Sequence, residues 1–260
     1  MARPRQSNQP RPTGSTQLNR ALSKLGLLSR TQATEAIRAG RVRVDGRVIL
    51  DPLQRVAVDR ARISIDEAPR PTVAWRTILF HKPRGVVTTR RDPQGRKTIY
   101  DALGDAGRHL IAIGRLDLAT SGLLLLTSDT QLAHWMTDPA NGVPRVYLAT
   151  VRGRVTDADV ERIREGVDSR GERLRAHAVT LRKASGRESH LTVELREGKN
   201  REVRRLFEAI GHEVTRLKRV ALGGLDLGAL GPGAWRELRR DEVSAAFPLA
   251  PVSAARPPTV

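Results

Sequence analysis

The chain of 260 residues contains no cysteine. That excludes disulfides, thiolate metal sites and a cysteine nucleophile, so any chemistry must come from oxygen and nitrogen groups. No stretch approaches the roughly 18 consecutive apolar residues of a membrane-spanning helix. The segment from Met1 to Gly14 is rich in Pro, Arg and Gln and lacks the apolar core of a secretion signal. The chain therefore reads as soluble and cytoplasmic, with no membrane partner. Its six histidines are scattered and never paired at helical spacing, so no histidine metal site is expected. Acidic residues are also scarce: 28 Asp and Glu stand against 46 Lys and Arg, a net charge of +18. Such an excess favours a polyanionic partner. Because arginine dominates it, and guanidinium forks onto phosphates and stacks on bases, RNA suits it better than lipid.

What is present falls into two blocks. After a tail too polar to pack, taken as disordered over 1–15, Leu18, Ala21, Leu22 and Leu25 share one helical face, with Gly26 as the stop. Ser29 and Gln32 form a capping-box pattern for a second helix carrying Ala33, Ala36 and Ile37 and ending at Gly40. The period then changes to two: Val42 and Val44 alternate with Arg41 and Arg43, Asp45-Gly46 is a hairpin turn, and Val48 and Ile49 open the return strand. Arg20, Lys24, Arg30, Arg38, Arg41 and Arg43 make one face of this module a candidate phosphate-binding surface. Pro-rich sequence between 68 and 75 marks a link. From 76 to 243, strand-like alternation at Thr77–Phe80, Val86–Thr89, Val146–Val151 and His190–Leu195 is interrupted by helices. Their expected N-terminal signals are Ser128 with Gln131, Thr156 with Asp159, and Asn200. This irregular mixture predicts an α+β domain on a mixed, mostly antiparallel sheet, preceded by the small helix-turn-helix and hairpin domain. From Ser244 the Ala- and Pro-rich end is expected to be disordered.

The densest chemical candidate is Gly114-Arg115-Leu116-Asp117-Leu118-Ala119-Thr120-Ser121-Gly122, which an apolar approach and four leucines enclose. Asp117 would sit on a short polar loop between buried strands, with Thr120 and Ser121 bonding the loop backbone and Gly122 permitting the turn. On the residues alone, Asp117 is either a catalytic carboxylate or a turn former.

The run from Leu18 to about Asp66, with L-N-R-A-L-S-K-L-G-L-L-S-R and I-R-A-G-R-V-R-V-D-G, resembles the small RNA-binding domain named after ribosomal protein S-four. The run G-R-L-D-L-A-T-S-G-L-L-L-L-T-S-D resembles the signature of the ribosomal RNA pseudouridine synthases that carry such a domain in front of their catalytic domain. The likeness extends to His81-Lys82-Pro83-Arg84-Gly85, Pro144-Arg145-Val146-Tyr147 and Glu197-Gly198-Lys199-Asn200-Arg201-Glu202-Val203-Arg204-Arg205-Leu206-Phe207. Family members often carry Gln where this chain has Glu202.

That resemblance implies a uridine-to-pseudouridine isomerase working without metal or organic cofactor. It makes Asp117 the essential carboxylate and Arg115 the guanidinium that fills the stack vacated by a flipped nucleotide, with a phosphate clamp as the other reading of Arg115. Tyr147 would pack on the target base, and Arg204 would pair with Asp117, keeping a half-buried carboxylate ionised. Lys82, Lys199, Arg201, Lys218 and Arg219 are expected to contact the RNA, the last four through its backbone. The segment around Arg204 is more like the large-subunit branch of the family, so 23S rRNA is favoured over 16S rRNA, and a monomer is expected. Two other classes fit the sequence less well. A non-catalytic rRNA-binding assembly protein would have no reason to keep Asp117, Tyr147 and Arg204 in order. A hydrolase lacks a G-x-S-x-G elbow, a phosphate-cradling loop and a two-metal carboxylate cluster.

Overall fold

In a computed structural model, residues 15–24, 27–28, 30–57, 61–66 and 74–252 are described. The chain divides into two compact units, 1–72 and 73–260. The first contains β1 (Ser15–Gln17), α1 (Leu18–Lys24), α2 (Arg30–Arg38), β2 (Val42–Val44), β3 (Arg47–Val48), β4 (Arg55–Ala57) and β5 (Ile63–Ile65). Strand β1 pairs with β4, and β2 sits between β3 and β5. The expected helical faces close on one another: Leu18, Ala21 and Leu22 pack with Ala33, Ala36, Ile37, Val42 and Val44 in one small core. Asp45 and Gly46 both have positive φ, as the tight hairpin requires. Leu25, Gly26 and Ser29, which carry the expected helix stop and capping box, lie outside the described residues. So do the side chain of Lys24, most of the Pro-rich link and the first 14 residues.

The second unit contains β6 (Thr77–Lys82), α3 (Ile99–Leu103), β7 (Ile111–Ile113), β8 (Thr120–Thr127), α4 (Thr130–Thr137), β9 (Arg145–Arg152), α5 (Asp157–Glu165), β10 (Val167–Ser169), β11 (Glu172–Leu174), β12 (Ala178–Ala184), β13 (Glu188–Leu195), α6 (Glu202–Ala209), β14 (Val214–Leu222), β15 (Leu225–Asp226), β16 (Trp235–Leu238) and α7 (Arg240–Ala246). Nine strands form one sheet with the path β12-β13-β9-β14-β8-β6-β16, β7 added to β8 and β15 to β14. Only the β14–β8 pairing is parallel, so the sheet is mixed and mostly antiparallel, as the sequence predicts.

The leucine run of β8 follows from burial on both faces. Leu124 and Leu126 join Ile78, Phe80 and Phe207 in one core, and Leu123 and Leu125 join Leu79, Leu132 and Met136 in another. Gly122 is part of β8 rather than a turn residue. A Cβ there would fall 2.1 Å from the Arg219 carbonyl oxygen, so glycine is what allows β14 to lie against β8 beside the Asp117 loop.

Other expectations shift by a residue or two. Asp129, not Ser128, caps α4, accepting from Gln131 N and Leu132 N. Thr156 and Asp159 form a full capping box on α5. The α6 cap is Arg201 in a left-handed conformation, not Asn200. Val86–Thr89 forms no strand beyond one bridge from Val87 to Thr98. Disorder from Ser244 is also corrected, because α7 continues to Ala246. Val243 and Phe247 are buried, and Gly223 leaves the space that the Phe247 ring occupies. Two apolar anchors in an Ala-rich stretch carry too little periodicity to show this. Among the described residues no helix is long and apolar enough to cross a membrane.

Candidate active site

The loop from Gly114 to Ala119 joins β7 to β8, which pair antiparallel from Ile111 opposite Thr127 to Ile113 opposite Leu125. Its carbonyls are held one after another. Thr88 Oγ1 donates to Leu116 O at 2.8 Å. Lys82 Nζ donates to Asp117 O at 3.1 Å and to Thr120 O at 2.9 Å. Gly85 N donates to Leu118 O at 2.8 Å, and Arg204 Nη2 to Ala119 O at 3.2 Å. The H-K-P-R-G run thus forms much of a cradle for the Asp117 loop, which ties two distant sequence motifs to one structural task.

With its backbone fixed, the Asp117 side chain is left one-third exposed, 3.9 Å from Arg201 Nη1. Among the described residues its carboxylate accepts no hydrogen bond. It faces a cavity of about 240 Å³ that Arg115, Tyr147, Lys199, Arg201 and Arg219 also line. Tyr147 lies on β9, in register with Val193 on β13 and Arg219 on β14, and only 9 % of it is exposed. Arg115 is exposed at the mouth.

Three expected site residues do not line this cavity. Lys82 is fully buried, and its ammonium donates to three carbonyls, the third being Pro83 O at 3.1 Å. Burial lowers its pKa to about 8, with the Asp117 charge opposing the shift. The expected RNA contact does not fit this burial, because the ammonium supports the Asp117 loop from within. Arg204 forms no ion pair with Asp117 within 4.0 Å among the described residues. It clamps Ala119 O and, at 2.7 Å, Val214 O, and burial lowers its pKa while the charge of Asp117 supports it. The guanidinium nearest the carboxylate is that of Arg201. Lys218 alternates with Arg219 along β14 and is not part of the cavity wall.

Arg219 does line the cavity but is 3 % exposed, with Nε donating to Leu123 O at 2.7 Å. It is thus a buried residue of the cavity wall. Lys199 is mostly engaged by acids, with Glu197 at 3.0 Å and Glu172 at 3.6 Å.

Two further groups belong to the cavity and were not singled out as site residues from sequence. Arg145 is buried and donates to Val143 O at 2.7 Å and Met136 O at 3.2 Å. Glu202 is 3 % exposed, and burial raises its pKa to about 7. Both lie within motifs that carry the family resemblance, but their burial is a property of the packed β9–β14–α6 corner and has no local sequence signal.

Residues 76–209 match the family model of the RNA pseudouridylate synthases, and residues 18–59 match the S4 domain. The chain belongs to the RNA pseudouridylate synthase family. It is 38 % identical to ribosomal large subunit pseudouridine synthase B of Vibrio cholerae, over 88 % of this chain and 74 % of that one. It is also 38 % identical to the protein of that name from Escherichia coli K12, over 86 % and 79 %. An uncharacterised RNA pseudouridine synthase of Aquifex aeolicus is 35 % identical over 88 % of this chain and 93 % of its own length. A crystal structure of a pseudouridylate synthase superposes with a TM-score of 0.62 at 28 % identity, covering 89 % of this chain and 99 % of that one. As a pseudouridine synthase, the enzyme isomerises uridine in RNA.

Proposed function

We propose that this enzyme converts a uridine of 23S rRNA to pseudouridine, with Asp117 as its catalytic carboxylate. The observation that carries the reading is the loop itself: Leu116 to Ala119 are fixed through their carbonyls, while the Asp117 carboxylate remains open toward a cavity with Tyr147 in its wall. A backbone held this firmly positions a side chain for reaction, which a plain turn does not require. The cavity is in scale with one extruded base and smaller than the roughly 300–1,000 Å³ of drug-sized ligand sites.

A uridine within folded RNA cannot present its glycosidic carbon to a protein, so it is flipped out. Arg115 at the mouth fills the vacated stack, and Tyr147 packs against the base. Arg201, 3.9 Å from the Asp117 carboxylate, and Arg204 behind the loop supply positive charge beside it. The N1–C1′ bond breaks, the uracil turns while held, and C5 joins C1′. Arg20, Arg30, Arg38, Arg41 and Arg43, all exposed, bind phosphates of the same rRNA, and the monomeric enzyme works in the cytoplasm on ribosomal RNA. The choice of 23S rRNA rests on the two large-subunit relatives.

Mapping pseudouridines in all rRNAs from cells with and without the enzyme tests this reading. One site missing from 23S rRNA is expected. A site missing from 16S rRNA instead would keep the chemistry and change the substrate; no missing site in any rRNA would overturn the proposal.

A further inference from the structure

Among the described residues, six buried side-chain polar atoms have no hydrogen-bond partner. Three of them, Thr120 Oγ1, Glu202 Oε1 and Arg219 Nη2, belong to residues lining the Asp117 cavity. Buried polar atoms are rarely left unmatched, so such a concentration in one cavity points to a polar group that fills it. Glu202 is the most informative of the three. It is the first residue of α6, and its Oε2 accepts from Lys199 N at 3.0 Å. Oε1 is left buried without a partner.

We propose that Glu202 is a catalytic residue that contacts the base directly, its carboxylic acid Oε1–H donating a hydrogen bond to a ring carbonyl of the bound uracil. This rests on the cavity being the uridine site.

The protonated form follows from the surroundings. Glu197 beside it and Asp117 across the cavity are both negative. Lys199 in the same loop, Arg145 on β9, Arg219 on β14 and Arg201 at the helix cap are positive. The Arg145 guanidinium is already engaged by backbone carbonyls, and Lys199 Nζ by Glu197 and Glu172. Desolvation outweighs what the cations give back and moves the acid up to about 7. With Oε2 accepting an N–H, the proton sits on Oε1. In this state the side chain offers one acceptor and one donor.

A donor here suits the reaction. When N1–C1′ breaks, the electron pair stays with uracil and spreads onto O2 and O4, so a hydrogen bond to a carbonyl strengthens as the bond parts. Glu202 keeps its proton throughout. When C5–C1′ has formed, C5 releases its hydrogen as a proton and N1 takes one up, which restores the neutral ring. The half-turn about the N3–C6 axis that exchanges N1 with C5 also exchanges O2 with O4. A fixed donor therefore meets a carbonyl both before and after the turn. Cytosine, with an amino group at C4, would oppose donor to donor in one of the two orientations.

The test is single-turnover pseudouridine formation on a 23S rRNA transcript between pH 5.5 and 9, for the wild type, Glu202→Gln and Glu202→Ala. The wild-type rate is expected to fall about tenfold per pH unit once Glu202 ionises above about 7. Glu202→Gln keeps a donor that cannot ionise, so its profile should lack the limb near 7 and start its fall about one unit higher, where Lys82 loses its proton. Glu202→Ala should be slower by roughly 10- to 100-fold below pH 7 and lack the limb at 7. An unmoved limb in Glu202→Gln, a loss of activity in that variant with its fold intact, or a wild-type rate in Glu202→Ala overturns the proposal. No pseudouridine from the wild type at any pH would instead sink the functional reading on which it rests.

Discussion

Three buried arginines of the second unit contrast with the exposed arginines of the first. In the N-terminal unit Arg20, Arg30, Arg38, Arg41 and Arg43 are all exposed, and the partners of Arg41 and Arg43 are surface groups, Asp66 and Gly46 O, each at 3.3 Å. In the catalytic unit Arg145, Arg205 and Arg219 are nearly inaccessible. Arg145 and Arg219 donate to backbone carbonyls, and Arg205 ties Ser169 and Glu172 of the β10–β11 hairpin to α6. An exposed guanidinium keeps its hydration until a phosphate replaces it, so it contributes affinity that salt weakens. A buried one fixes backbone that would otherwise lack donors, and salt barely reaches it. One composition therefore supplies both an electrostatic surface and a scaffold, and only burial tells them apart.

That contrast can be broken from either side. On the scaffold side, Gly122→Ala should have the largest effect. Its Cβ would collide with the Arg219 backbone, and Gly122 has φ +111°, so a loss of about 2–4 kcal/mol in urea unfolding is expected. Normal stability would mean that β14 is not held where it is described. Next comes Lys82→Met, which leaves three carbonyls without their donor. A shift of about 1 Å in Asp117 costs roughly a hundredfold in rate, while RNA affinity and its salt dependence should stay unchanged. A weaker affinity with a normal rate would restore Lys82 as an RNA contact. The smallest effect belongs to the exposed set. Replacing all five N-terminal arginines by Gln should leave the saturated rate intact and flatten the plot of log affinity against log salt by roughly 0.7–0.9 for each phosphate no longer neutralised. An unchanged slope would remove the module as the anchor.

Much of this was legible in the sequence. The change from a helical to a two-residue period at Arg41, the Asp45-Gly46 turn and the G-R-L-D loop between apolar runs are local signals, and all lie where they were expected. What sequence misjudged depends on packing between distant segments. Lys82 and Arg219 read as available cations because neither periodicity nor spacing shows that β6 and β14 flank β8. Arg204 was expected on the Asp117 carboxylate. The left-handed turn at Arg201 instead brings that residue's guanidinium to 3.9 Å from it, and Arg204 takes the carbonyls behind. Glu202 carries no local sequence mark, since burial, with the Glu197 charge beside it, is what weakens it as an acid.

On the proposed reading, this firmly held loop presents one carboxylate to a uridine. Asp117→Asn keeps the shape and the clamped backbone but can act neither as nucleophile nor as base. Its single-turnover rate on 23S rRNA should fall by about 10⁴-fold or more, with RNA affinity within a few fold of the wild type. Pseudouridine formation by Asp117→Asn at a rate near that of the wild type would contradict the account.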